Sequence, residues 1–179
     1  LYLGNTSKRR GLKTVLNSIP ELIKSIPNFK FVIVGCSSYD NELKRIVENY
    51  KISKYVDFEG WKSEDLFPSY IKAAKLGVSP LHKNIHHDTT YANKIFQYMS
   101  LGCPILCSDV KAQVLLLDTY KVGLLFESEN VSDFKNKILK LFNDSNLVLQ
   151  FSDNCINSIN NHLNNDIISK DLVNYYEKK

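Results

Sequence analysis

The sequence predicts an α/β fold: a doubly wound parallel sheet of about six strands with helices on both faces and a helical C-terminal region. Three observations predict it. Apolar segments of strand length and of helical period take turns six times between Leu1 and Phe126. The run Phe31-Val32-Ile33-Val34 is continuously apolar and β-branched, the composition of a strand covered on both faces. Beyond Ser128 every apolar pattern is helical, with no second sheet and no linker, so residues 1–179 are read as one domain.

Taken in order, Leu1 to Gly4 reads as a strand entering a turn, and a chain that opens this way on Leu rather than Met is expected to be an excised fragment. Leu12, Val15, Leu16, Ile19, Leu22, Ile23 and Ile26 keep helical spacing, with Pro20 predicted to kink or restart the helix. After the strand ending at Gly35, Leu43, Ile46, Val47 and Tyr50 mark a second helix, and Val56-Asp57-Phe58 a short strand. Ser63 is the expected N-cap of a helix carrying Leu66, Phe67, Tyr70 and Ile71. A strand at Leu76-Gly77-Val78 leads into a polar loop from Leu81 to Tyr91 and a helix from about Asn93. A strand at Ile105-Leu106-Cys107, a helix near Val114 to Leu117 and a strand from Gly123 to Phe126 complete the alternation. The helical stripes that follow are Phe134, Ile138 and Leu141, then Val148, Phe151, Cys155 and Ile159, then Ile168, Leu172 and Tyr175, the last read as packing.

Composition narrows the class. Hydrophobic residues make up 44% and charged residues 23% of the 179, and no apolar run approaches the ~20 residues of a membrane span. The net charge of +4 is modest, and the one basic cluster, Lys8-Arg9-Arg10, is too short for a nucleic-acid track but suits a phosphate. Cys36, Cys103, Cys107 and Cys155 lie beside apolar residues without paired zinc spacing, which predicts reduced, mostly buried thiols and a cytoplasmic setting.

In an open parallel sheet the ligand sits at the carboxyl ends of the strands, so the loops after Leu3, Val34, Phe58, Val78 and Leu106 are where chemistry is expected. The first, Gly4 to Gly11, supplies a glycine turn, hydroxyls and three cations ahead of a helix, a setting for a diphosphate. Gly35-Cys36-Ser37-Ser38 lacks the further glycines of a dinucleotide fingerprint. The third runs from His86 into the helix at Asn93, where Asn93, Gln97 and Ser100 share one face and Ile95, Phe96 and Met99 the other. That helix aims backbone N–H groups at the cleft while its apolar side anchors it.

Three segments, Tyr2-Leu3-Gly4 with Arg10-Gly11, Val56 to Gly60, and Asn93 to Met99 running on to Gly102-Cys103-Pro104-Ile105, resemble the C-terminal domain of retaining glycosyltransferases of the GT-B fold, family 4. The resemblance covers nearly the whole chain and implies a Rossmann-like domain that binds a UDP- or GDP-linked sugar as co-substrate, with no other cofactor. It implies that Gly4 and Arg10 face the donor phosphates and that Gly60 and Trp61 lie near the base. The amides of Ala92, Asn93 and Lys94 receive the diphosphate, and Lys94 joins Arg10 in stabilising the leaving group. The family's two glutamates fall on Thr89 and Gln97, which retain contacts to the sugar and the ribose. Thr90 belongs to the same donor-binding stretch. Asn5 stands at the family's arginine position, with Lys8 or Arg9 as substitutes for that charge.

The implied activity is retaining, metal-independent sugar transfer in cell-surface polysaccharide assembly, with the acceptor bound by an N-terminal domain that this chain lacks and the fragment inactive alone. No nucleic-acid partner is expected, and the cytoplasmic assignment leaves room for peripheral association of the full-length protein with the inner face of the cell membrane. The competing reading is a non-catalytic nucleotide-sugar-binding or regulatory domain that lost both carboxylates. A flavodoxin-like signalling domain is disfavoured, since no acidic cluster follows the first strand. Without the resemblance Lys8-Arg9-Arg10 reads as a solvated turn. His86-His87-Asp88 lacks a fourth ligand, so no metal site is expected. Cys103 and Cys107, an even number of residues apart, are expected to be buried on one face.

Overall fold

A computed structural model describes residues 1–177, with the backbone alone for Asp171, Leu172 and Glu177. Six short strands run β1 (Tyr2–Leu3), β2 (Phe31–Val34), β3 (Val56–Gly60), β4 (Gly77–Ser79), β5 (Ile105–Ser108) and β6 (Gly123–Phe126). They pair in parallel as two ladders, β1-β2-β3 and β4-β5-β6. The ladders meet at the first residue: the Val78 N–H donates to the Leu1 carbonyl and the Leu1 amine donates to the Leu76 carbonyl, each at 2.9 Å. In place of continued β1–β4 pairing, the Leu3 N–H donates to the Tyr98 hydroxyl at 2.9 Å. The six strands thus lie in the order β3-β2-β1-β4-β5-β6, with the reversal of winding between β1 and β4.

The helices between them are α1 (Leu12–Ser25), α2 (Asp40–Asn49), α3 (Phe67–Ala73), α4 (Ile85–Thr89), α5 (Asn93–Ser100) and α6 (Lys111–Tyr120). After β6 come α7 (Val131–Asn143), α8 (Ser145–Asn161) and α9 (Asn165–Glu177). Strand alternation sorts the core into two layers. Tyr2, Ile33, Val78 and Leu106 pack with α1, α2 and α7 on one face. Leu3, Val34, Ile105 and Cys107 pack with α5, α6 and α8 on the other.

Several local expectations are corrected. Pro20 sits inside an unbroken α1. Ser63 occupies a cap position but its side chain makes no capping bond; a single 3₁₀ turn intervenes and α3 begins at Phe67, with Pro68 in its first turn, where a missing N–H costs nothing. The stretch from Leu81 to Tyr91 is not all loop: Asn84 caps α4 by accepting the His87 N–H. α6 extends to ten residues around the four expected. The caps of α7 and α8, Asn130 and Asp144, fall at the polar residues just ahead of the apolar stripes. Three of the four cysteines are buried, Cys103 and Cys107 in the same layer, but Cys36 is exposed. Ile168 and Tyr175 face outward rather than packing, and the Leu172 side chain lies outside the described residues.

Candidate functional site

The loops leaving β1, β2, β3 and β4 surround a cavity of about 620 Å³, closed on one side by the start of α5. Its position follows from the sheet, because the β1/β4 reversal spreads the flanking loops apart and leaves a crevice at the strands' carboxyl ends. Gly4, Asn5 and Arg10 come from the first loop, Trp61 from the loop after β3, Thr90, Ala92, Asn93 and Lys94 from the entry to α5, and Gln97 from its first full turn. Arg10 and Asn93 therefore share one wall system, although 83 residues lie between them in the chain.

Two glycines allow the loops to come this close. Gly11 ends the basic 3₁₀ turn in the left-handed region at φ 75°, and a Cβ there would stand 1.6 Å from the Pro80 carbonyl oxygen. Gly35, at φ 127°, brings its backbone against Gly4, whose oxygen would be 2.1 Å from an added Cβ. The first loop is braced from below by Thr6, a fully buried residue whose hydroxyl bonds Ser37 at 2.9 Å and also the Asp40 carboxylate.

Lys94 decides the electrostatics. The sequence puts it next to the polar face of α5, yet only 8% of it is exposed, and Nζ has no hydrogen-bond partner. The ammonium lies 3.5 Å from the centre of the Tyr2 ring and beside Gly4. Burial first, and the nearby Arg10 charge second, hold its pKa well below that of an ordinary lysine. Two cations facing one cavity, one of them stripped of water, form a site that is incomplete until an anion enters it. Amides in the first turn of α5 add partial positive charge on the same side.

Not every expected residue is brought in. Thr89 does not line the cavity: it is exposed, and its hydroxyl donates to the Ile85 carbonyl at 2.8 Å, turned back on its own helix. Gly60 stays behind the wall, its carbonyl accepting the Gly35 N–H at 2.7 Å. Neither Lys8 nor Arg9 lines the cavity; both are exposed, and Asn5 itself reaches it. Sequence reasoning missed Tyr2 and Tyr98, which support Lys94 and β1, because an aromatic in an apolar run reads only as core. It also missed His87, whose ring forms part of the wall. Among the described residues no group of three His, Cys, Asp or Glu side chains is placed to hold a metal ion.

The model of the family described as glycosyl transferases group 1 matches residues 1–158. The chain belongs to this family. Among curated group 1 relatives, it is 28% identical over 140 residues to the UDP-Gal:alpha-D-GlcNAc-diphosphoundecaprenol alpha-1,3-galactosyltransferase of Escherichia coli, covering 78% of this chain and 34% of that protein. Among solved glycosyltransferase structures, Staphylococcus aureus TarM, in a complex containing UDP, superposes with a TM-score of 0.82 at 19% identity, covering 98% of this chain and 35% of that one. Anabaena HepE in complex with UDP gives 0.86 at 15% identity, covering 99% and 49%. At these identities the superpositions show a shared fold. The chain thus spans between a third and a half of the length of these glycosyltransferases.

Proposed function

We propose that this chain is the donor-binding half of a glycosyltransferase that takes a UDP- or GDP-linked sugar and transfers it with retention, without a metal. The single observation that carries the reading is the buried Lys94 ammonium, unpartnered beside Arg10 and Gly4 in the cavity at the strands' carboxyl ends. Sugar transfer leaves negative charge on the departing diphosphate, and fixed cations with helix-end amides stabilise that charge without rearranging. Arg10 and Lys94 take that role. Gly4 and Asn5 border the phosphates, the amides of Ala92, Asn93 and Lys94 receive them, and Gln97 bonds the ribose. Trp61, 75% exposed at the rim, offers a face to the base, and Thr90 lies toward the sugar. The acceptor is held by an N-terminal domain outside these residues, and assembly of a cell-surface polysaccharide is the setting.

A second reading is favoured by a specific feature: one glutamate position carries Gln97 and the other, Thr89, turns away from the cavity. On that reading the domain binds nucleotide sugar without turning it over. One experiment tests both. The intact protein is titrated calorimetrically with UDP, GDP and their sugars, then assayed for release of nucleoside diphosphate in the presence of acceptor lipid or polysaccharide. Binding with turnover supports the enzyme, binding without turnover the regulatory domain, and no binding of any nucleoside diphosphate removes the proposal.

A further inference from the structure

His87 belongs to α4 and is 1% exposed, a burial unusual for a residue that a polar segment delivers. Its surroundings fix which nitrogen holds the proton. Nδ1 lies 2.8 Å from the His82 carbonyl oxygen, which can only accept, so the ring proton sits on Nδ1. Asn84 completes the clamp: its Oδ1 accepts the His87 N–H at 3.0 Å, and its Nδ2 donates to the same His82 carbonyl at 3.2 Å while lying 2.9 Å from Nδ1. Nε2 is left as a lone-pair acceptor, buried and without a partner, on a ring that forms part of the cavity wall.

The charge around this ring argues for what it accepts from. Burial, and then the charges of Arg10 and Arg9, disfavour the imidazolium and outweigh the stabilising bond to His82. A neutral acceptor is the wrong partner for a phosphate oxygen, which carries lone pairs of its own, and the right one for a hydroxyl. Arg10 stands close enough to influence both Lys94 and His87, so the ring adjoins the phosphate end of the cavity. The hydroxylated group attached directly to the phosphates of a nucleotide sugar, on the side away from the ribose, is the glycosyl unit.

We propose that His87 is a donor-sugar-binding residue, its Nε2 accepting a hydrogen bond from a hydroxyl of the glycosyl unit. This rests on the nucleotide-sugar reading given above. Because a bare nucleoside diphosphate lacks that hydroxyl, the two claims separate in one set of titrations. The intact protein, His87→Asn and His87→Gln are titrated with UDP and GDP and with UDP-glucose, UDP-galactose and GDP-mannose. The Asn amide nitrogen falls near the position of Nδ1 and keeps the bond to the His82 carbonyl, so the segment stays clamped while the outer acceptor is lost. The Gln side chain reaches the position of Nε2.

The expected result is a threefold to tenfold weaker affinity of His87→Asn for the nucleotide sugar that the natural protein prefers, the scale of one hydrogen bond. Affinity for the matching nucleoside diphosphate changes less than twofold, and His87→Gln recovers part of the loss. Equal weakening for both ligand types, or no weakening, overturns the role of His87 and leaves the nucleotide-sugar reading standing. Failure of the natural protein to bind any of the five compounds overturns that reading and this one together. Should His87→Asn not fold, the Gln variant alone carries the comparison by the same ratio.

Discussion

Replacing Lys94 with methionine separates binding from stability, because the two effects have opposite signs. The ammonium is buried without a hydrogen-bond partner, and removing an ion from water costs several kcal/mol after relaxation. The Tyr2 ring beneath it returns about 2 kcal/mol at most. Free protein therefore carries a net penalty of at least about 1 kcal/mol, which methionine of similar length removes. For a chain of this size that raises the melting temperature by about 2 to 4 °C per kcal/mol. The same change deletes a charge-assisted hydrogen bond to the diphosphate, about 1.5 to 3 kcal/mol, or roughly 10- to 150-fold in Kd. Thermal melts with and without UDP or GDP, paired with calorimetry, read both quantities. Lys94→Met that melts lower than the natural protein and binds nucleoside diphosphate unchanged refutes the argument, since Lys94 would then be a structural lysine remote from the ligand.

Four further outcomes follow from the same geometry. The depressed pKa of Lys94 means the free protein tends to hold it neutral, and a bound dianion restores the proton, so binding takes up protons and weakens as pH rises through the free-state pKa; calorimetry in buffers of different ionisation enthalpy shows this, and Lys94→Met abolishes the uptake. In the free protein the sign is reversed: the lysine's penalty is complete below its folded pKa and vanishes above the ordinary lysine value, so the stability gap to Lys94→Met narrows at high pH, as denaturant melts across that window will show. Arg10→Ala weakens nucleoside diphosphate binding by about 1 to 3 kcal/mol while Thr89→Ala, outside the cavity, changes it by less than about 0.5 kcal/mol, both read by calorimetry. Gly11→Ala forces its Cβ into the Pro80 carbonyl at a left-handed backbone position and lowers stability by about 2 kcal/mol or more in urea unfolding.

The alternation of strands and helices was legible because both faces of the sheet are covered: the β-branched run at Phe31 and the helical stripes at Leu12, Leu43 and Phe134 each carry their own period. Boundaries were less legible where a local signal had competing uses. Ser63 looks like a cap, yet Pro68 favours the first turn of a helix and so moves the start of α3 to Phe67. The polar stretch after Leu81 hides α4, whose five residues are too few to show a period. Most of the cavity lining was also readable, because the glycine turn, the basic run and the polar entry to α5 all precede or follow strands whose carboxyl ends must converge.

What the sequence determined alone was therefore the class of fold, the loops that meet, and the family, since these depend on local periodicity and on motif residues that keep their order along the chain. Only the tertiary structure decided which way individual side chains point within those loops. Thr89 folds back on its helix, Lys8 and Arg9 stay in water while Asn5 and Arg10 enter, Lys94 is driven onto the Tyr2 ring, and His87 is turned until one nitrogen is satisfied and the other is not. Those outcomes depend on contacts between residues more than 80 positions apart, where burial and unpaired charge are properties of the assembled cavity and of no segment by itself.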